Sequence, residues 1–427
     1  MAEEKIFKIT KIIAEEIEDS RGNPTLKVSV YSGDLSGSFS VPSGASTGVH
    51  EAHELRDPEP ERALNGASEN GKGVKDAVFK VNNLIAGALV GKNVLNQKEI
   101  DRIMIELDGT QNKDNLGGNS MIGVSIACAK LAAKVSGIEV FEYLRTLRLN
   151  SGQALNEIKP SRKIPFLFIN LINGGKHARN NLAFQEYHIV PDVENIPEAI
   201  SVGINIQNSL RNIIKRDFGE DSIILGDEGG FAPQINDIKK PLQLLNEAIK
   251  ENKLEGKVRL ALDVAASSFF ENGKYKIADK EISKENLMDI YNHLIKEFDL
   301  ISIEDPFNEE DFESFRKLIE NNENFIVVGD DLTVTNKMRL KEALEKKSVN
   351  AMIIKPNQIG TLSETLETMK LARDNDVDLI ISHRSGETDD NFIADLAYAF
   401  GCFGLKSGSP IKPERMVKYQ RLIEIAK

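Results

Sequence analysis

The chain has 427 residues, 41% of them hydrophobic and 28% charged, with a formal net charge of −12 and two cysteines, Cys128 and Cys402. That length supports two domains and a large core, while so few cysteines exclude a disulfide framework or a cysteine-rich metal site. An acidic balance without a basic stripe argues against nucleic acid as a primary partner, and no apolar run approaches the ~20 residues of a membrane span. The opening segment MAEEKIFKIT also lacks the apolar core of a signal peptide, so a reduced, cytoplasmic protein is expected.

Residues 5–41 read as strands with tight turns. The segment 25–31 partly alternates, and Ser-Gly pairs at 32–33 and 36–37 are turn signals. Helical patterns follow. Val74 to Leu89 carries apolar residues at helical spacing and stops before Gly91. Asn96 is suited to cap a helix through Leu107, and Asn119 to cap another through Val135. Strands first and helices after define an α+β unit, placed at residues 1–145. A polar stretch, Asn150 to Lys163, lacks periodicity and reads as a connection. From there strands and helices alternate, so residues 146–427 are expected to form an α/β barrel.

Six short apolar runs in this second unit end on a charged or imidazole residue. They end at Asp263, Glu304, Asp330, Lys355, His383 and Lys406. They recur every ~25–40 residues, the length of a strand, a helix and their loops. Parallel barrel strands point their C-terminal ends at one face, so these residues converge. The run SIILGDE is expected to present Glu228 in the same way. Taken singly, each acidic residue is more often a helix cap. Three at equivalent positions, Asp263, Glu304 and Asp330, form an all-oxygen set that suits Mg²⁺. Lys355 and Lys406 offer a base and a charge partner. The segment Ser382 to Glu387 gathers His383, Arg384 and Ser385 beside a glycine, which suits an anion. Glu186 stands in an apolar strand, where a lone carboxylate is costly. Two loops of small residues, Ser40 to Gly48 and Asn173 to Asn180, read as surface loops or as lids.

With these residues in place, the chain resembles the enolase family over nearly its whole length. The resemblance rests on SRGNPT at 20–25, SVPSGASTGVHEA at 40–52, NGGKHA at 173–178, FQE at 184–186, GDEGGFAP at 226–233, ALDVAASSFF at 261–270, IEDPF at 303–307, GDDLTVTN at 329–336, KPNQIGTL at 355–362 and SHRSGET at 382–388. It implies Mg²⁺-dependent dehydration of 2-phosphoglycerate to phosphoenolpyruvate, with two Mg²⁺ per site, the second arriving with substrate. Asp263, Glu304 and Asp330 would hold the first ion, and Ser43 the second. Lys355 would remove the C2 proton, and Glu228, oriented by Glu186, would protonate the departing hydroxyl. His177, His383, Arg384, Ser385 and Lys406 would surround the substrate. A lysine base beside magnesium is the known pattern of the enolase superfamily, so it comes with the resemblance and not from spacing. A homo-oligomer, dimer or octamer, is implied in the same way.

These roles need a neutral lysine and a protonated glutamate together. Crowding by cations is expected to lower the lysine pKa, and carboxylate neighbours to raise that of the glutamate. Two segments depart from the usual pattern. Lys176 and Arg179 stand where small residues are commoner, and LKSGSPIKPER at 405–415 replaces IKTGAPARSER. A dehydratase or racemase of the same superfamily acting on another acid, and a non-catalytic scaffold, are the competing readings.

Overall fold

The computed structural model describes residues 7–45, 48–58, 72–147 and 161–426. Three antiparallel strands come first: β1 (Lys11–Glu18), β2 (Pro24–Ser32) and β3 (Leu35–Ser40). The β1–β2 register pairs Lys11 with Tyr31 and Glu18 with Pro24. The Asp19 carboxylate closes this hairpin by accepting from the Arg21 and Asn23 N–H groups at 2.8 and 2.9 Å.

The helical pattern at 74–89 forms α1 (Lys75–Phe79), a π-helical segment at Lys80–Ile85, and α2 (Ala86–Leu89). Next come α3 (Gln97–Asp108), α4 (Gly118–Ser136) and α5 (Val140–Thr146). Asn96 caps α3 as expected, accepting from Glu99 N–H at 3.3 Å. Asn119 does not cap α4. The helix begins one residue earlier, after Gly117 at φ 86°. The Asn119 amide instead accepts from the Leu55 N–H and donates to the Leu55 carbonyl, tying a loop to the helix. Helix α4 is buried along most of its length against β2 and β3. Gly123 allows that approach, since a Cβ there would lie 2.6 Å from Val28 Cγ2.

The connection at Asn150–Lys163 lies outside the described residues except for 161–163. Beyond it a barrel closes from β4 (Phe166–Asn173), β5 (Glu186–Pro191), β6 (Val258–Asp263) and, after a small sheet of β7 (Phe270–Glu271), β8 (Lys274–Ile277) and β9 (Lys280–Ile282), from β10 (Leu300–Glu304), β11 (Ile326–Gly329), β12 (Ala351–Ile354), β13 (Asp378–Ser382) and β14 (Gly404–Lys406). Its interior is filled by Phe168, Val190, Ala261, Ile301, Val328, Ala351, Ile353 and Ile380. The neighbouring strand residues turn outward onto the larger core that includes the helices. Those helices are α6 (Ile196–Phe218), α7 (Lys240–Glu251), α8 (Lys284–Phe298), α9 (Phe312–Asn321), α10 (Lys337–Glu345), α11 (Leu362–Asp374), α12 (Phe392–Ala399) and α13 (Pro413–Ile425). The expected α/β class holds, with one correction. Strand β5 runs antiparallel to both β4 and β6. Only a single 3-10 turn, Gly175–His177, and no α-helix lies between β4 and β5 to carry the chain back across the barrel, so β5 returns in the opposite direction.

The two units meet through a buried carboxylate. Asp101 on α3 accepts from Ser125 Oγ at 2.6 Å, and from Ser363 N and Oγ at 2.9 and 2.6 Å. Ser363 lies in the first turn of α11, so Asp101 satisfies an orphan N–H of a barrel helix from the other unit.

Candidate active site

Parallel strands deliver most of the predicted residues to one rim. Asp263, Glu304 and Lys406 are the last residues of β6, β10 and β14. Asp330, Lys355 and His383 follow directly on β11, β12 and β13. Glu186 reaches this rim by the opposite logic. It is the first residue of the antiparallel strand β5, and it pairs in register with Asp263. Glu228 does not end a barrel strand, contrary to expectation. It lies in a turn flanked by a bridge between Leu225 and Phe231, and hydrogen bonds bring that turn to the rim. The backbone beyond several of these strand ends is strained. Ala265, Asp305, Val334 and Thr335 all have positive φ, at 46°, 43°, 41° and 54°. For the β-branched pair this is unusual geometry of the kind found at functional sites. Thr335 Oγ1 there accepts from Lys355 N–H at 2.9 Å and fixes the start of the lysine's loop.

Two electrostatic groups face each other in one buried pocket. In the first, Lys406 Nζ lies 2.7 Å from Asp263, 3.0 Å from both Glu304 oxygens and 3.2 Å from Glu186. Lys355 pairs with Asp330. Gln358 donates to the other Asp330 oxygen at 3.0 Å. In the second, His177 Nδ1 lies 3.3 Å from Glu186 and 3.4 Å from Glu228. Asn170 Nδ2 donates to both glutamates at 3.0 Å. His188 Nε2–H donates to Glu186 at 2.8 Å, and His383 Nε2 lies 3.3 Å from Glu228.

Burial works against every charge here, and the partners decide the outcome. Burial raises the pKa of Glu304 well above its ordinary value, and the Asp263 charge adds to this. Asp263 is raised for the same first reason, against the pull of Lys406. These are carboxylates with too little positive charge around them, and all their donor atoms are hard oxygens. Hard oxygens of this kind suit a divalent cation such as Mg²⁺, but among the described residues Asp263, Glu304 and Asp330 are not a group whose oxygens all lie within 4.8 Å of one another. Asp330 also belongs to an acidic group with Asp305 and Asp331, whose oxygens approach within 4.8 Å of one another. Asp305 is already committed there, accepting from the N–H groups of Asp330 and Asp331 at 3.0 and 2.6 Å.

Two expected shifts run the other way. Burial favours neutral Lys355, but Asp330 beside it outweighs burial and holds the ammonium above its ordinary value. Burial and Glu186 push Glu228 up, but His383 and His177 outweigh them and hold it below the carboxylate range. Each group is thus set by its nearest opposite charge, which neither composition nor spacing had identified.

The anion-suited segment is built as expected and is already occupied by protein groups. Arg384 pairs with Glu51 through Nη1 at 2.8 Å and Nη2 at 3.2 Å. Ser385 Oγ accepts from Ala45 N–H at 2.6 Å. Ser43 and Gly386 exchange both backbone hydrogen bonds, each at 2.8 Å. The Ser43 hydroxyl accepts from Arg56 at 2.8 Å and donates to Glu54 at 3.2 Å. Within the predicted loop, residues 46–47 lie outside the described ones. The pocket lined by Gly44, His177, Glu228, Lys355, Arg384 and Lys406 has a volume of about 20 Å³. Sequence reasoning missed Asn170, His188, Glu51 and Gln358. The first two carried the same signal as Glu186, a polar residue inside an apolar run.

A barrel whose strand ends gather a paired lysine, a glutamate beside two histidines and several buried carboxylates brings together the groups that acid–base chemistry needs. Residues 161–427 match the family model "Enolase, C-terminal TIM barrel domain", and residues 9–144 match "Enolase, N-terminal domain". The chain is 44% identical over 421 residues to "Enolase" of Methanocaldococcus jannaschii, covering 98% of this chain and 95% of that protein. It is 44% identical over 433 residues to "Enolase B" of Dictyostelium discoideum, covering 98% and 94%. The chain belongs to the enolase family, and its reaction class is that of a phosphopyruvate hydratase, a hydro-lyase.

Proposed function

We infer that the chain interconverts 2-phosphoglycerate and phosphoenolpyruvate with Lys355 as base and Glu228 as acid. The observation that carries this reading is that one pocket is lined by both side chains, each held by its own network. Lys355 takes the C2 proton, and Glu228 gives a proton to the C3 hydroxyl as it leaves. Glu186, fixed by His188, Asn170 and Lys406, orients His177 and the Glu228 side of the pocket. Arg384 and Ser385 take the phosphate, which requires Glu51 to yield the guanidinium. Asp263, Glu304 and Asp330 would hold one Mg²⁺, and Ser43 a second that comes with substrate. When bound, Mg²⁺ supplies Lewis-acid stabilisation of the charge that builds on the substrate carboxylate.

The assembly that goes with this reading is a homo-oligomer, either dimer or octamer, which sedimentation resolves. The decisive test of activity is Mg²⁺-dependent formation of phosphoenolpyruvate from 2-phosphoglycerate, followed by its ultraviolet absorbance. No absorbance change with excess Mg²⁺ and folded protein would overturn the proposal.

A further inference from the structure

Arg415 lies in the first turn of α13 and does not line the pocket, yet its side chain is fully buried. Among the described residues it has no carboxylate within hydrogen-bonding reach, since Glu414 Oε1 is 3.8 Å from Nε. Its Nη1 lies 2.6 Å from His383 Nδ1 and donates to the Arg384 carbonyl at 2.6 Å. Its Nη2 donates to the Ser385 carbonyl at 2.7 Å and to the Asp227 carbonyl at 3.4 Å. A buried guanidinium without a paired anion is expensive, and such groups persist where the geometry they impose matters.

A guanidinium has donors only and keeps its charge in proteins. His383 Nδ1 must therefore offer a lone pair to Arg415, which leaves the ring proton on Nε2. Nε2 is the nitrogen that lies 3.3 Å from Glu228 Oε2. The chain between β14 and α13 closes tightly on the same groups. A Cβ at Gly408 would lie 2.8 Å from the Glu228 carbonyl, 3.1 Å from His383 Cε1 and 3.3 Å from Arg415 Cδ.

We infer that Arg415 is a positioning residue for the reaction, holding His383 as the neutral Nε2–H tautomer aimed at Glu228. This rests on reading Glu228 as the proton donor. The charged groups that act on His383 are Glu228, Glu186 and Arg415. Burial disfavours the imidazolium, Glu228 opposes that, and Arg415 adds to burial, so the ring stays below its ordinary 6.5. A neutral ring keeps Nε2–H facing Glu228, 3.3 Å from Oε2, without adding another full positive charge. A full imidazolium would add to the hold that His177 already has on ionised Glu228 and keep it further from donating.

Solid-state ¹⁵N NMR of histidine-labelled protein reads the ring state directly, with the His383→Asn variant identifying the signal. The expected spectrum shows unprotonated Nδ1 and protonated Nε2 at neutral pH and above. Arg415→Lys should let the ring take a second proton as pH falls through about 6.5. Its kcat should drop about tenfold or more, the acid limb of the kcat profile should rise, and KM should change less. An Nδ1–H tautomer or an imidazolium in the wild-type protein at neutral pH overturns the inference. So does an Arg415→Lys variant that merely melts earlier, with ring state and pH profile unchanged. Should that variant not fold, the wild-type spectrum decides alone. If the ring behaves as expected while 2-phosphoglycerate is not turned over, the hold of Arg415 on His383 stands and the proposed activity falls.

Discussion

Lys355 and Glu228 start from the wrong proton states for their proposed roles, one charged and one ionised. Each is held there by its neighbours, Asp330 for the lysine and, for the glutamate, the histidine pair in which His177 has the raised pKa. A cation held by Asp330 would draw off the charge that keeps Lys355 protonated and so favour the neutral base. The two proton transfers should separate by mutation. Glu228→Gln is expected to form almost no phosphoenolpyruvate yet still exchange the C2 hydrogen of 2-phosphoglycerate in heavy water. Lys355→Ala should lose both, and NMR of the substrate reads the outcome. Normal exchange in Lys355→Ala together with none in Glu228→Gln would reverse the assignment. His177 gives a pH-dependent test of the second group. Burial lowers its pKa, but Glu228 and Glu186 outweigh that and raise it above 6.5. The native state thus binds this proton more tightly than the unfolded chain does. The stability it contributes is complete below 6.5 and is lost as pH rises through the native value. The difference in melting temperature between wild type and His177→Gln should therefore shrink as pH rises above neutrality.

At the level of elements, position was more legible than direction. Apolar runs ending in charge identified six strand ends, because a barrel interior demands apolar residues and its rim accepts charge. Nothing in FQEYHIV states that β5 runs backwards, since strand direction is set by the preceding connection. The start of α4 was misplaced because Asn119 looks like a cap from sequence and is instead used to hold Leu55. Arg415 was invisible for a related reason. An arginine one turn into a helix normally faces water, and only the fold places it under the His383 loop. Asp101 shows how an element can be capped by a partner distant in sequence. Burial raises its pKa, opposed by hydrogen bonds from Ser125, Ser363 and Gln97. Asp101→Asn turns an amide donor toward groups that are themselves donors, at a cost of about 2–3 kcal/mol. Its melting temperature should fall, and proteolysis should begin near residues 361–363 sooner than in the wild type.

At the scale of the whole molecule, cation binding at the proposed site would be linked to folding. Asp263 and Glu304 are buried at the ends of neighbouring barrel strands and repel each other. A bound cation relieves that repulsion only in the folded state. Mg²⁺ at about a hundred times its dissociation constant should then add roughly 2.7 kcal/mol of stability. Thermal melting should show an upward shift with Mg²⁺ that is reversed by chelation and is mostly absent in Asp330→Asn. An unchanged melting temperature with Mg²⁺ would remove this ligand set. The family and the barrel could be read from the sequence because many short motifs keep their order. The charge states could not, because they depend on which residues come within about 3–4 Å after folding.

The paired hydrogen bonds between Ser43 and Gly386 carry a kinetic consequence. A cavity of about 20 Å³ holds roughly one water molecule, far too little for a phosphorylated three-carbon acid. A neighbouring cavity of about 320 Å³ shares Arg384 with it, and the Glu51–Arg384 pair stands between the two, so docking at Lys355 and Glu228 calls for these contacts to shift. The two strand-like contacts must part first, Glu51 must leave Arg384, and only then is there room. Association becomes a gated event whose ceiling is an opening rate belonging to the protein. In rapid-mixing experiments the observed binding rate should level off as substrate concentration increases. Replacing Gly386 with alanine should disturb the gate, because the new Cβ would meet Asp19 and Arg21. A binding rate that climbs linearly without limit would show that the gate does not control access.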